Sequence, residues 1–144
     1  MKVNIMEKNK SHSSTRFSRT REAHQSELAE DYVETILDLI SETGQARLLE
    51  IAQKLGVAHP TVSKSLKKLQ REGLVEVLPY RAILLTAEGE RLAHSCKKRH
   101  GIVLNFLLAL GLDSQTAQND AEGIEHHVSP KTLKVMEKFR DKLR

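Results

Sequence analysis

Two short amphipathic segments joined through Gly56 constrain the fold of this chain more than any other feature. Residues 47–55 (RLLEIAQKL) and residues 60–72 (PTVSKSLKKLQRE) both carry apolar side chains at helical spacing. Between them Gly56 allows a sharp turn, and Pro60 occupies a first helical position, where proline is favoured. Ala52 is small at the point where the two helices are expected to cross. The pattern therefore predicts two short helices that cross closely at a tight turn.

A β-hairpin is predicted directly after this helix pair. Residues 74–78 (LVEVL) and 82–85 (AILL) are β-prone runs around the turn at 79–81. Another helix is predicted before the pair, over residues 22–43, where apolar side chains again recur at helical spacing. Helix, short helix, tight turn, helix and hairpin is the order of a winged helix-turn-helix.

The outer face of the second helix of the pair and the hairpin tip form the predicted DNA-contact surface. In a helix-turn-helix, the N-terminal part of this helix enters the major groove. The predicted contact residues are His59, Pro60, Thr61, Ser63, Lys64, Lys67, Lys68, Tyr80 and Arg81. Thr61 and Lys64 are expected to reach base edges, and the later lysines to neutralise phosphates. A helical bundle with exposed lysines, or a protein-docking module, is the alternative interpretation of the same pattern.

The rest of the chain is predicted to be helical apart from its first residues. A long helix is expected from residue 87 to about 110, followed by helices over 114–127 and 130–143. Residues 1–21 are polar and basic, so a disordered tail is expected there. The predicted fold class is mostly α with a small β-hairpin. The predicted division is a basic tail (1–21), a winged helix-turn-helix domain (22–90) and a helical C-terminal domain (91–144).

Composition excludes several classes of protein. Cys96 is the only cysteine among the 144 residues, which excludes an internal disulfide and a cysteine-based zinc cluster. No apolar run approaches the ~20 residues of a membrane span, and the N-terminus lacks the apolar segment of a secretory signal. We therefore expect a cytoplasmic protein without membrane association. Motifs of Ser-His-Asp hydrolases, phosphate-binding glycine loops and zinc proteases are absent from the sequence, so neither enzyme activity nor a small-molecule substrate is expected.

Acidic residues are concentrated in the predicted first helix. Residues 22–43 contain seven Asp and Glu and neither Lys nor Arg, although the whole chain carries a formal charge of +4. Asp31 and Glu34 stand three residues apart and therefore share one face of this helix. Such a face suits a cation, and an ordinary solvated surface is the alternative.

A second group of possible metal ligands lies near the C-terminus. Glu122, Glu125 and His126 form an E-x-x-E-H cluster in the predicted penultimate helix, and His100 lies on the long helix before it. If the three helices pack together, four carboxylates and two imidazoles surround one pocket. An oxygen-rich set with one or two imidazoles suits manganese(II) or iron(II) better than copper(I) or a structural zinc ion. His127 is expected to point elsewhere, and no role is assigned to it.

Three motifs together resemble the diphtheria toxin repressor family of metal-dependent transcriptional regulators. They are Asp31-Tyr32-Val33-Glu34, Arg99-His100 and residues 120–127 (DAEGIEHH), arranged around the helix-turn-helix from Ile51 to Leu74. The resemblance runs from about residue 22 to the C-terminus and is strongest to manganese-responsive members. It implies a homodimer whose N-terminal half binds a palindromic double-stranded operator. Residues 91–144 are then a helical dimerisation and metal-binding domain.

The resemblance also implies a set of metal ligands and a physiological role. The implied ligands are Asp31, Glu34, His100, Glu122, Glu125 and His126. Iron-responsive members commonly have Met and Cys where this chain has Asp31 and Glu122, which favours manganese(II). A binuclear site is compatible with the number of carboxylates, and iron(II), zinc(II) or other divalent ions are expected to bind as well. The implied function is repression of manganese uptake genes.

Three alternative functions are consistent with parts of the sequence. The first is an iron(II)-responsive repressor of the same family, and the second is a metal-independent winged-helix regulator whose acids are only solvated. The third is a di-metal carboxylate enzyme, because the E-x-x-E-H cluster is similar to the ligands of di-iron helical bundles. Against the enzyme, the helices predicted at 114–127 and 130–143 are short, and a winged helix serves no obvious purpose there.

Overall fold

The computed structural model describes residues 5–143, with side chains over residues 16–143. Within these residues six helices and three short strands follow one another. They are α1 (Ile5–Thr43), β1 (Ala46–Arg47), α2 (Leu48–Leu55), α3 (His59–Arg71), β2 (Val75–Val77), β3 (Ala82–Leu85), α4 (Ala87–Ala109), α5 (Ser114–Ile124) and α6 (Pro130–Leu143). The predicted fold class, mostly α with a small β element, is confirmed.

The first helix is much longer than predicted. Residues 5–21, which were expected to form most of a disordered tail, belong to α1, whereas residues 1–4 of that tail lie outside the described part of the chain. Neither glycine nor proline occurs before Gly44, so nothing in the sequence interrupts the backbone hydrogen bonds of the helix. Gly44 ends α1 with a left-handed φ of 84°, and its N–H still donates to the carbonyl of Ile40.

The helix pair α2–α3 forms as the sequence predicts. Gly56 adopts φ 67° at the end of α2, and the N–H of Val57 donates to the carbonyl of Ala52. Ile51 of α2 and Val62 of α3 are fully buried and pack in one core with Tyr32, Ile36 and Leu39 of α1. That packing ties α1 to the helix-turn-helix.

The hairpin is part of a three-stranded antiparallel sheet. Its strand order is β1-β3-β2, with Val75 opposite Leu85 and Ala46 opposite Ile83. The two-residue strand β1 was not predicted, because a run this short shows no alternating pattern. It attaches the end of α1 to the hairpin and so adds a second link between α1 and the wing.

The C-terminal helices pack around a second apolar cluster. Val103 and Leu107 of α4 contact Ala117 and Ala121 of α5, and α6 packs against the same side through Leu133. Side-chain caps begin two of these helices: the Thr86 hydroxyl accepts from an N–H of α4, and the Asp113 carboxylate accepts from an N–H of α5. None of the helices formed by the described residues is both long and apolar enough to cross a membrane.

Candidate metal centre and DNA-contact surface

Three parts of the chain meet at a cluster of carboxylates and imidazoles. Asp31 and Glu34 lie on the face of α1 that is turned towards α4 and the end of α5. His100 reaches the cluster from α4, and Glu125 and His126 reach it from the segment that follows α5. The convergence expected from the separate sequence motifs is therefore present for these five residues.

His126 lies at the centre of the cluster. Its Nε2 atom is 3.2 Å from Oδ1 of Asp31 and 3.4 Å from Oε1 of Glu125. The other carboxylate oxygen of Glu125 is 2.5 Å from Nδ1 of His100. The His126 and Glu125 side chains are only 3% and 4% exposed. A continuous line of polar contacts thus joins α1, the segment after α5, and α4, in a site that is buried at its centre and reaches solvent at Asp31 and His100.

The E-x-x-E-H motif does not lie on one helix face, which corrects the prediction of a helix over 114–127. Helix α5 ends at Ile124, and residues 125–127 form a turn in which the N–H of His127 donates to the carbonyl of Ile124. Because the helical ladder ends here, His126 and His127 reach different parts of α1. Glu125, whose N–H still donates to the carbonyl of Ala121, reaches the cluster from the end of the helix, and His126 reaches it from the turn.

Glu34 and Glu122 border the cluster without belonging to this line of contacts. Burial raises the pKa of Glu34, and the carboxylate of Asp38 raises it further. Glu122 is exposed on α5, and its charge is a smaller contribution to the same pKa shift. Of the six predicted ligands, four contact one another directly and two stand at the edge. Their role as metal ligands stays a prediction.

Glu30 and Arg99 take part in the site, although the sequence did not predict either as a site residue. Glu30 is buried beside Asp31, and its Oε2 atom lies 2.6 Å from Nδ1 of His126. Its Oε1 atom accepts a hydrogen bond from the Arg99 guanidinium at 2.7 Å. The sequence offered a weak signal, because Arg99 belongs to the Arg99-His100 motif, yet nothing local showed which acid it would pair with. Glu30 links α1, α4 and the turn after α5 within one contact network.

The pKa values in the cluster follow from burial and from the surrounding carboxylates. Hydrogen bonds from His126 to Asp31 and Glu30 raise the pKa of this imidazole to about 10. Burial raises the pKa of Glu125, and the neighbouring imidazole of His100 only partly offsets that effect. The pKa of Glu30 is lowered, because its contacts with His126 and Arg99 outweigh the cost of burial. The cluster therefore favours positive charge at its centre.

The donor set fits a divalent cation that prefers oxygen. Carboxylates outnumber imidazoles, and buried carboxylates with raised pKa values gain from a nearby positive charge. Cys96 is close in sequence, but its thiol is buried and contacts Arg99, and burial raises its pKa to about 11. The cluster thus offers carboxylate oxygen and imidazole nitrogen without thiolate, which suits manganese(II) or iron(II).

A further acid and imidazole lie at the outer edge of the cluster. Donor atoms of Glu27, Asp31 and His126 all lie within 4.8 Å of one another. The Oε2 atom of Glu27 is also 3.1 Å from Nε2 of His127, the residue to which the sequence analysis assigned no role. Glu27 precedes Asp31 by four residues, so its place on the same helix face was readable from the sequence.

The predicted DNA-contact residues of α3 lie on or near its outer surface. His59, Pro60, Thr61, Lys64, Lys67 and Lys68 are exposed, and Ser63 is half-buried. The opposite face of α3 is buried through Val62, Leu66 and Leu69. The helix begins at His59, one residue earlier than predicted, with Pro60 within its first turn. Three lysines and an arginine, and no acid, occur within α3, which gives its surface a positive charge suited to phosphates.

The hairpin tip also carries exposed side chains. Tyr80 is 90% exposed, and Arg81 follows it with a left-handed φ of 63°. The N–H of Arg81 donates to the carbonyl of Leu78, which closes the turn. A residue with a Cβ atom is strained in this backbone conformation, so local geometry alone would favour glycine at position 81. The contact of these residues with DNA stays a prediction.

Comparison with known families divides the chain in the same way as its architecture. Residues 24–83 match the family model described as iron dependent repressor, N-terminal DNA binding domain. Residues 86–144 match the model described as iron dependent repressor, metal binding and dimerisation domain. The first match covers α2, α3 and most of the hairpin, and the second contains His100, Glu125 and His126.

Individual relatives agree with the family match. The chain is 53% identical to the transcriptional regulator MntR of Escherichia coli O6:H1 over 126 residues, covering 88% of this chain and 81% of that protein. It is 39% identical to the HTH-type transcriptional regulator MntR of Bacillus subtilis over 100 residues, covering 69% of this chain and 70% of that protein. These relatives are transcriptional regulators, which argues against the di-metal enzyme.

Solved structures of similar fold include regulators of the same kind. The manganese regulator SloR aligns with 78% of this chain at a TM-score of 0.69 and 32% sequence identity. A manganese-dependent transcriptional repressor in complex with manganese also aligns with 78% of this chain, at a TM-score of 0.68 and 30% sequence identity. This chain spans about half the length of these two structures (53% and 52%). On the two family matches and the identities above, the chain belongs to the iron-dependent, or diphtheria toxin, repressor family of metal-dependent transcriptional regulators.

Proposed function

We propose that this chain is a manganese(II)-responsive repressor that binds a palindromic operator as a homodimer and represses manganese uptake genes. Its place of action is then the cytoplasm, where bacterial operators are accessible. The proposal rests on one observation: α1 belongs both to the carboxylate cluster and to the core of the helix-turn-helix. Through Asp31 and Glu30 this helix forms part of the carboxylate cluster, and through Ile36 it forms part of the helix-turn-helix core.

The six predicted ligands, Asp31, Glu34, His100, Glu122, Glu125 and His126, are the residues that would hold manganese. Some neighbouring acids already have cationic partners, since Arg99 pairs with Glu30 and Lys97 pairs with Asp38. The ligand carboxylates remain in excess, and burial disfavours the charged forms of Glu34 and Glu125. A bound divalent cation supplies the positive charge that offsets them.

The chain transmits a change at the cluster through packing rather than through a flexible connection. Mutual repulsion of the carboxylates acts to separate α1 from α4 and from the turn after α5. A bound cation removes this repulsion and so holds α1 in one position. The winged helix moves with α1 because Ile36 and Leu39 are buried against α2, α3 and the sheet. In a dimer, the relative position of the two winged helices determines whether both reach their half-sites.

This arrangement requires reciprocal coupling between metal and operator. If manganese tightens operator binding, the operator tightens manganese binding by the same factor. Couplings of this kind are typically about 1–3 kcal/mol, or roughly 5–150-fold. Independent binding of metal and operator would contradict the mechanism.

Selectivity for manganese cannot rest on affinity alone. For most sets of nitrogen and oxygen ligands, zinc(II) binds more tightly than manganese(II). The predominance of carboxylate oxygen at this site favours the higher coordination numbers of manganese over the tetrahedral geometry of zinc. We therefore expect zinc to occupy the site and to activate operator binding less well.

The test is fluorescence anisotropy of the full chain with a palindromic operator fragment. Manganese(II), iron(II) and zinc(II) are titrated in parallel into the wild type, Glu122→Ala and the matched control Glu22→Ala, which removes an exposed acid of α1 away from the cluster. We expect operator binding that depends on manganese, is lost in Glu122→Ala and is retained in Glu22→Ala.

Each other outcome favours a different function. Activation by iron(II) and not by manganese would identify an iron-responsive repressor of the same family. Operator binding that is indifferent to all three metals would identify a metal-independent regulator and reduce the cluster to a charged surface. Equal activation by zinc and manganese would refute the selectivity argument while leaving metal-dependent repression in place.

A further inference from the structure

His24, Glu27 and His127 form a second group of metal-binding side chains beside the main cluster. The Oε2 atom of Glu27 lies 3.1 Å from Nε2 of His127 and 3.8 Å from Nδ1 of His24. The two imidazole rings face each other edge to face, with centroids 6.2 Å apart. A single carboxylate oxygen therefore stands between two imidazoles, one from α1 and one from the turn after α5.

This group continues the ligand face of α1. His24, Glu27, Asp31 and Glu34 are spaced by three, four and three residues, which places all four side chains along one stripe of the helix. The inner half of the stripe faces His126 and His100 in the main cluster. The outer half faces His127, which the turn after α5 directs away from His126.

We propose that His24, Glu27 and His127 form an accessory site for a late first-row divalent cation such as zinc(II). Two imidazoles and one carboxylate are a common protein ligand set for zinc, with solvent in the remaining position. The main cluster is richer in oxygen, so the two positions differ in the cations that they prefer. The accessory site uses none of the six residues predicted to hold manganese, and it does not depend on the proposed operator binding.

The geometry requires the His24 side chain to rotate towards Glu27 and His127, whose contact is already formed. Zinc–nitrogen and zinc–oxygen distances are about 2.0–2.2 Å, so the donor atoms around one ion lie roughly 3–3.5 Å apart. Glu27 and His127 already satisfy this separation. His24 is 67% exposed, and its side chain has room to rotate towards the other two. His127 and Glu27 are 43% and 28% exposed, so the group is open to ions from solvent.

An ion held here would join two of the three parts that meet in the main cluster, α1 and the turn after α5, one helical turn closer to the N-terminus of α1. Because donor atoms of Glu27 lie within 4.8 Å of those of Asp31 and His126, the two positions are close enough to influence each other's occupancy. The accessory site therefore gives the chain a position through which zinc affects the metal centre without replacing the ion inside it.

The experiment measures how many zinc ions each chain binds. The full chain is titrated with zinc(II) against a chromophoric chelator of known affinity, using the wild type, His127→Asn, Glu27→Gln and the control His94→Asn. His94 is an exposed histidine of α4 and is not part of either group. We expect His127→Asn and Glu27→Gln each to lose one zinc equivalent per chain and His94→Asn to lose none. Melting curves of the metal-free variants check that all are folded.

A spectroscopic measurement separates binding from a simple ion pair. In NMR spectra of the full chain, zinc is expected to shift the ring Cε1–H resonances of His24 and His127, assigned by their Asn variants. Unchanged zinc stoichiometry in His127→Asn and Glu27→Gln would overturn the proposal and leave Glu27 as a hydrogen-bond acceptor for the two histidines. Zinc-induced shifts confined to His100 and His126 would overturn it as well.

Discussion

The Nδ1 atom of His126 lies 2.6 Å from Oε2 of Glu30, and this contact determines which ring nitrogen faces the carboxylate cluster. Nε2 is left facing Asp31 and Glu125. Glu30 is itself held through its other oxygen by Arg99. A carboxylate that accepts from one nitrogen of an imidazole, so that the other nitrogen faces a cation, is a common arrangement around protein metal sites. Glu30 therefore positions a predicted ligand without being one.

Replacing Glu30 should weaken metal binding more than it weakens the fold. The substitution Glu30→Gln keeps the size of the side chain but removes the charge that orients His126 and pairs with Arg99. Such changes around a metal site typically cost about 10–100-fold in metal affinity. Manganese titration against a fluorescent chelator gives the affinity, and Glu22→Gln is the control on the same helix. An affinity within a factor of two of wild type would show that His126 is oriented without Glu30.

The metal-free chain should lose stability as the pH rises. The pKa of His126 is about 10 in the folded chain, raised by Asp31 and Glu30 from an ordinary value of 6.5. A raised pKa contributes stability that is complete below pH 6.5 and is lost as the pH rises through 10. The raised pKa values of Glu34 and Glu125 act in the same direction, but from an ordinary value of 4.5.

Urea denaturation with chelator present, at pH 6.5 and at pH 10, measures this loss. The midpoint urea concentration should fall between the two pH values in the wild type, and by less in His126→Gln. The variant also controls for effects of high pH that do not involve His126. If both proteins lose stability equally, His126 does not carry the pH dependence.

Gly89 allows the start of α4 to lie against the hairpin. A Cβ atom built at this position would lie 2.0 Å from the carbonyl oxygen of Leu74, which is backbone and cannot move aside. Gly89→Ala should therefore destabilise the chain by about 1–3 kcal/mol or more. Gly101, later in α4, has no atom within 4 Å of such a Cβ, so Gly101→Ala should instead stabilise by about 0.5–1 kcal/mol. Urea denaturation of the two variants should give opposite signs.

Arg81 should separate stability from DNA binding. Its φ of 63° is strained for arginine, so Arg81→Gly removes about 1 kcal/mol of backbone strain from the folded state. The same substitution stabilises the unfolded chain by about 0.4–1 kcal/mol, because glycine has more conformational freedom. The free energy of unfolding should thus stay nearly constant. If Arg81 contacts a phosphate, the same variant should reduce the salt dependence of operator binding by a slope of about 0.9, whereas Arg81→Lys should keep it. Anisotropy titrations at several salt concentrations test this, and equal slopes in all three proteins would remove Arg81 from the interface.

Helix ends and helix faces were predictable because their causes are local. Gly44, Gly56 and Pro60 mark chain reversals and helix starts through their own backbone preferences, and the structure has those boundaries within a residue or two. Boundaries that lack such residues were less accurate. Nothing interrupts α1 at residue 22, so its early start was missed, and α5 ends at Ile124 although the following residues are also compatible with a helix.

The sequence by itself determined the two halves of the candidate metal centre: helical spacing places Asp31 with Glu34 on α1, and Glu122, Glu125 and His126 lie within five consecutive residues. Only the tertiary structure decided how those halves meet. Glu30 and His126 are 96 residues apart, and their contact depends on which faces of α1 and α4 pack and on the turn that ends α5. Helical periodicity specifies that a face exists, whereas the side chain opposite it is set by packing between distant segments. For that reason the contacts of Glu30 with His126 and of Glu27 with His127 became visible only in the folded chain.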